Sequence, residues 1–171
     1  MALSFKRILC PVDLSTFSFN ALRLAVQIAQ SSNATIYVLH VIDNPYDDLY
    51  MSPITQADPT MLGLYKDEPL RRSRILKATM EHSQVMLKHF CHDLVETAPK
   101  ARYLIESGNP FEKILDVAEA RRIDLIVLAT HGRTGIKRIL IGNVAEKVVR
   151  HAPCPVLTVR SRKSKKNSGR K

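Results

Sequence analysis

Five short apolar runs, rich in β-branched residues, are separated by longer stretches whose apolar residues recur at helical spacing, and this alternation constrains the fold most. The runs lie in "FKRILCPVD", "ATIYVLHVID", "ARYLIES", "DLIVLAT" and "PVLTVR". Nearly continuous apolar strands need cover on both faces, and amphipathic helices between them supply it, so a parallel sheet is expected. The fold class is therefore α/β: an open five-stranded parallel sheet with helices on both faces. In "LSTFSFNALRLAVQIAQSS" the residues Phe17, Ala21, Leu24, Ala25 and Ile28 form the expected buried face, and Ser15 and Ser18 are the two candidate caps. Over residues 70–95, Leu76, Met80, Ser83, Leu87, Phe90 and Leu94 are spaced by alternating fours and threes, an apolar stripe that packs on a sheet.

Two segments break the rhythm. From Asn44 to Pro69 the chain carries four prolines, three tyrosines and five acids with little periodicity, an irregular insert within the domain formed by residues 1–160. The tail from Ser161 to Lys171 holds six of the basic residues behind the net charge of +10 and no acid, so most of the positive excess sits there. It has too little apolar surface to offset the entropy of ordering and is expected to be disordered. It reads either as a solubilising terminus or as an arm for nucleic acid or an acidic partner. No apolar run is long enough to span a membrane, and the start of the chain enters a strand pattern without a signal-peptide core. Cys10, Cys91 and Cys154 are scattered and form no metal or disulfide pattern. A cytoplasmic protein is expected.

Motifs for several chemistries are missing. The sequence contains no phosphate-binding G-x-x-x-x-G-K-[ST], no dinucleotide G-x-G-x-x-G and no G-x-S-x-G elbow, and the first strand–helix turn, "CPVDLSTFS", has no glycine. No base is positioned beside a nucleophile, so an enzyme is not expected beyond, at most, weak hydrolysis of a bound ligand. His89 and His92 lie three apart on one helix without a third ligand, as surface histidines do. Asp13 stands at the carboxyl end of the first strand, where open α/β sheets place ligand groups, although an Asp there also serves backbone amides. At "NPFE", Asn109 is the expected helix cap, Pro110 the first helical residue and Glu112 the third. At "NVAE", Asn143 and Glu146 repeat that pattern. Before it, "ATHGRTGIKRILIG" supplies Gly132, Gly135 and Gly142 with Arg133, Lys137 and Arg138. A glycine loop entering a helix N-terminus is suited to phosphate, because free N–H groups and the helix dipole point the same way.

Residues 4–160 resemble the universal stress proteins through "KRILCPVDLST", "ATIYVLHVID" and "SGNPFEKILDVAEARRIDLIVLATHGRTGIKRILIGNVAEKVVRHAPCPVLTVR". The resemblance implies a Rossmann-like sheet in the order 3-2-1-4-5 and a homodimer through the last strand, Val156 to Val159. Nucleotide-binding members carry G-x2-G-x9-G-[ST]. Here the motif reads Ala129-Thr130-His131-Gly132, nine residues, then Gly142-Asn143, so two positions depart. The resemblance also implies ATP at the switch point between strands 1 and 4. Asp13 and the backbone near Val12 and Val41 would then meet the adenosine, and Gly132, Arg133, Gly142, Asn143 and Val144 the phosphates, with Pro11, Ala129 and His131 also at the nucleotide. Mg2+ would ride on the phosphates without a protein ligand.

Three functions follow from these residues. The first is a stress-response regulator that binds ATP with Mg2+ as a dimer. The second is a dimeric scaffold without nucleotide, supported by Ala129 and Asn143. The third is contact with nucleic acid through the basic tail.

Overall fold

The computed structural model describes residues 4–43, 69–95, 100–131 and 141–160. The expected insert, apart from Pro69, and the basic tail lie outside the described residues. In chain order the elements are β1 (Arg7–Pro11), α1 (Thr16–Ser32), β2 (Thr35–Ile42), α2 (Pro69–Val95), β3 (Ala101–Ser107), α3 (Pro110–Ala120), β4 (Leu125–Ala129), α4 (Asn143–His151) and β5 (Val156–Val159). The strands form one parallel sheet in the order β3-β2-β1-β4-β5, as the resemblance implies. From β1 the chain moves outward through β2 to β3, then returns to the other side of β1 for β4 and β5. Right-handed crossovers therefore put α1 and α2 on one face and α3 and α4 on the other.

Strand alternation divides the core accordingly. Ile8 and Cys10 of β1, Val12 just after it, Ile36 and Val38 of β2, and Leu125 and Val127 of β4 pack against α1 and α2. Leu9, Leu39, Ile126 and Leu128 pack against Ile114, Val117, Ala118, Ala145 and Val148 of α3 and α4. Each large aliphatic residue fully buried here contributes roughly 1.5–3 kcal/mol. Cys10 and Cys91 are fully buried in the first of these layers, and burial pushes the Cys91 thiol up to about 12 and the Cys10 thiol higher still. Both stay protonated and act as small apolar residues.

Two helix faces can be compared with expectation. The buried side of α1 is Ser18, Ala21, Leu22, Ala25, Val26 and Ala29. Phe17, Leu24 and Ile28 are only half-buried, so the expected face is rotated. Ala21, Ala25 and Ala29 let the α1 backbone lie against the sheet, with Leu22 and Val26 buried beside them. Ser15 rather than Ser18 is the cap, its side chain accepting from the Ser18 N–H at 3.2 Å. On α2, Ser83 and Leu87 are buried and Leu76, Met80, Phe90 and Leu94 half-buried, as spaced. His89 and His92 are exposed on that helix.

The amino ends of β1 and β4 are joined by Asp124. Its carboxylate accepts from the Lys6 N–H at 2.9 Å and the Arg7 N–H at 2.8 Å, and its own N–H donates to the Arg7 carbonyl at 2.9 Å. The Arg7 guanidinium lies 3.8 Å away at a partly solvated position, so the ion pair adds little beside the backbone bonds. Asp124→Ala leaves two N–H groups without their acceptor and is expected to lower the unfolding free energy by about 1–3 kcal/mol. Urea denaturation measures this, and an unchanged midpoint would remove Asp124 from the account.

Candidate functional site

The site is set by where two strands stop pairing. β1 pairs with β2 as far as Pro11 against Leu39, but with β4 only at Ile8 against Leu125 and Leu9 against Ile126. Backbone groups alternate sides along a strand. The Arg7 carbonyl faces β4, accepting from Asp124, and the Val12 N–H faces β2, donating to Leu39 at 2.8 Å. Pro11 therefore faces β4, and proline has no N–H to offer there. The ladder ends, and a cavity of about 300 Å3 opens at the carboxyl ends of β1 and β4. This is the switch point at which open α/β sheets bind ligands.

The structure brings Pro11, Val12, Asp13 and Val41 to one side of this cavity and Ala129, His131, Gly142, Asn143 and Val144 to the other. Gly132 and Arg133, with Gly135, Lys137 and Arg138, lie outside the described residues. Val12 presents wall rather than free polar groups: its N–H is held by Leu39, and its carbonyl accepts from His40 Nδ1 at 2.8 Å. A carbonyl only accepts, so Nδ1 carries the His40 proton. On β2, Ile36 N–H and the Ile42 carbonyl face β3, so Val41 faces the opposite way, toward the side on which β1 has ended. Asp13 Oδ1 accepts from the Ser15 N–H at 3.1 Å and from Ser15 Oγ at 2.6 Å. Between them Leu14 sits at φ 63°, a left-handed conformation that costs a non-glycine residue about 1–3 kcal/mol. The strained turn fixes the Asp13 carboxylate against the start of α1.

The opposite wall is pinned at Thr130. Its N–H donates to the Val159 carbonyl at 3.1 Å, its carbonyl accepts from the Gly142 N–H at 2.6 Å, and its Oγ1 lies 2.8 Å from His131 Nδ1. The His131 ring also rests against Phe17 of α1, with ring centroids 6.0 Å apart. The expected capping role of Asn143 is corrected. The cap is Gly142, whose carbonyl accepts from the Glu146 N–H at 2.9 Å, and no side chain caps α4. The backbone bond from Gly142 to Thr130 starts the helix one residue early and leaves Asn143 as its first helical residue. Asn109 does cap α3, accepting from the Phe111 N–H at 3.0 Å. The first-turn N–H groups of Asn143, Val144 and Ala145 have no carbonyl within the helix, and they stand at the positive end of its dipole beside the cavity.

Sequence reasoning missed Ser18, Leu39, Pro110, Ile114, Leu128, Thr130 and Ala145, which also line the cavity. Leu39 is two residues from Val41 on the same strand face, and Ile114 is one turn after Pro110. Period alone carried that signal once a first wall residue was known. Among the described lining residues Asp13 is the one carboxylate, and no Lys or Arg joins it. No cluster of three His, Cys, Asp or Glu able to hold a metal occurs among the described residues. No helix among them is long and apolar enough to cross a membrane.

Gly142 has φ −72°, open to any residue, but an added Cβ would sit 3.3 Å from the Thr130 carbonyl oxygen. Gly142→Ala is thus expected to fold with a loss of about 1 kcal/mol, a common size for a point change. Thermal denaturation tests this, and a variant as stable as the parent would show that the Thr130 contact does not constrain the turn.

The model of the universal stress protein family matches residues 4–160. A universal stress protein of Methanocaldococcus jannaschii is 34% identical over 160 residues, covering 93% of this chain and 84% of the relative. Among solved structures, the universal stress protein UspA from Lactobacillus plantarum is 30% identical with a TM-score of 0.69, covering 93% of this chain and all of its own, 100%. A family protein from Arabidopsis thaliana with AMP bound shares the fold at a TM-score of 0.56 and 23% identity, covering 92% of this chain and 93% of its own. The chain belongs to the universal stress protein family.

Proposed function

We propose that this chain is a stress-response regulator that binds an adenine nucleotide, ATP with Mg2+ on its phosphates, in the cavity between the ends of β1 and β4. One observation carries this reading: all the described residues that the sequence assigned to a nucleotide converge on that cavity. Asp13 and the Val41 backbone suit the hydroxyls and base of a nucleoside, and the free N–H groups of α4 suit phosphate. The AMP held by the Arabidopsis relative supports the same ligand class. Asn143, relieved of capping, keeps a carboxamide whose NH2 can donate to phosphate in place of the expected hydroxyl. The Ser15 hydroxyl that donates to Asp13 also caps α1, so the cavity reads as a binding site rather than one for rapid turnover.

Thermal-shift titration of the full chain with ATP–Mg2+ tests the ligand, with mass spectrometry of nucleotide released on denaturation. The melting temperature is expected to climb with ligand, since saturation to a hundred times Kd adds about 2.7 kcal/mol. No shift and no released nucleotide would leave the nucleotide-free scaffold as the better reading.

The dimer belongs to this proposal as well. β5 is the edge strand next to β4, and Leu157 on it is 36% exposed. An uncovered edge is a ready template for a second copy. Light scattering is expected to give a dimer, and Leu157→Lys a monomer. A monomeric parent protein would overturn the assembly without touching the ligand.

A further inference from the structure

The outer strand β3 carries two opposite charges placed symmetrically about its centre. Among the described residues β3 is the last strand on its side of the sheet, at the far end from β5. Its register with β2 fixes which backbone groups face out. The Ile36 N–H donates to the Lys100 carbonyl and the Gly108 N–H to the Ile42 carbonyl, so Lys100, Gly108 and the even positions between them face β2. Ala101, Tyr103, Ile105 and Ser107 therefore turn their backbone groups outward, along a strand that contains neither proline nor glycine. Side chains follow the same parity. Leu104 packs with the α3 and α4 layer, and Arg102 and Glu106 share its face, one on either side. Arg102 is exposed and Glu106 half-buried. They stand about 13 Å apart along the strand, too far to meet. Neither makes an ion pair among the described residues.

Charge on an edge strand ordinarily keeps a second copy away, because like charges meet. Here the two signs reverse that outcome. In an antiparallel pair about a twofold axis at Leu104, Arg102 lies opposite Glu106 of the second copy, and Ala101 opposite its Ser107, so all 7 residues of β3 are used. The outward groups of Ala101 meet those of Ser107, and those of Tyr103 meet those of Ile105, as the hydrogen-bonded pairs of a ladder require. Arg102 and Glu106 fall in the alternate pairs, where Cα atoms approach to about 4.5 Å and side chains are closer. Opposite charges and aromatic–β-branched neighbours are both favourable across strands. An axis at Tyr103 or Ile105 instead shortens the ladder and sets one charge against Leu104. Beside the strand there is room, a groove of about 540 Å3 between α2 and β3 lined by Leu76, Met80, Tyr103 and Ile105. The exposed Lys77 and Glu81 of α2 line it too, again one of each sign.

We propose that the outer edge of β3 is a second self-association surface, on which β3 of another copy pairs antiparallel about a twofold axis at Leu104. It is separate from the edge of β5 and from the nucleotide cavity, and it depends on neither. The two sheets run on as one, with Arg102–Glu106 pairs on one face and Tyr103–Ile105 pairs on the other. The opposed charges also fix the register, since a slip along the strand separates them. Solvated ion pairs contribute little, and association must first offset the lost freedom of two bodies. The contact therefore fills only as concentration rises, above the dilute range in which Leu157→Lys is a monomer. Where β5 also pairs, β3 joins one dimer to the next.

Analytical ultracentrifugation of the full chain carrying Leu157→Lys, from micromolar to millimolar concentration, tests this apart from the β5 edge. A dimer that grows in with concentration is expected. Adding Arg102→Glu, or separately Glu106→Arg, sets like charges opposite each other twice across the axis and is expected to weaken that dimer by about 10-fold or more. An equimolar mixture of those two variants recovers the association, because every charge again meets its opposite. One chain carrying both substitutions recovers it as well. Recovery in the mixture also shows that each single variant is folded. A Leu157→Lys chain that stays monomeric throughout, single substitutions that leave its association unchanged, or a mixture no tighter than its components would overturn the proposal.

Discussion

The short β1–β4 ladder, two residue pairs long, is the constraint on which the remainder of the site depends. It is secured at one end by the Asp124 carboxylate across the backbone of Lys6 and Arg7. At the other end it stops because Pro11 has no N–H to give β4. A longer ladder would carry the strand ends together and close the cavity. A missing one would cut β4 and β5 from the sheet. Between these limits, the crossovers leave the two sides of β1 in opposite directions, and among the described residues no helix crosses the space above the gap.

The two walls of that gap are built by different means. On the β1 side a strained turn, with Leu14 at φ 63°, brings the Asp13 carboxylate back onto Ser15, which in turn caps α1. On the β4 side there is no side-chain cap at all. α4 begins through a backbone bond from Gly142 to Thr130, which also ties the start of the helix to the end of β4. The first wall is rigid through side chains and supplies one negative charge, whereas the second is rigid through backbone and supplies N–H groups. That asymmetry suits a ligand with hydroxyls at one end and phosphate at the other.

Much of the architecture was legible in the sequence. The alternation of apolar runs and helical periods implied a parallel sheet, and the family resemblance implied its order. Asn109 could be read as a cap because Pro110 follows it, and no tertiary contact competes there. Asn143 looked the same but failed as a cap, because the deciding contact is with Thr130, twelve positions from Gly142 and invisible to any local rule. The α1 face was misphased: Ala21 and Ala25 lie on it as expected, but the sheet took Leu22, Val26 and Ala29 beside them rather than Phe17, Leu24 and Ile28. The Thr130–His131 pair was hidden by strand parity, which holds only as far as the strand lasts.

The location of the ligand is the central claim, and photo-crosslinking with an azido-adenine nucleotide tests it most directly. After irradiation and digestion, crosslinks on the full chain are expected in the peptides around Pro11–Asp13, Val41 or Ala129–Ala145, and excess unlabelled ATP should suppress them. Suppressible crosslinks confined to peptides of α2 and β3, or none anywhere, would contradict a nucleotide site at the β1/β4 switch point.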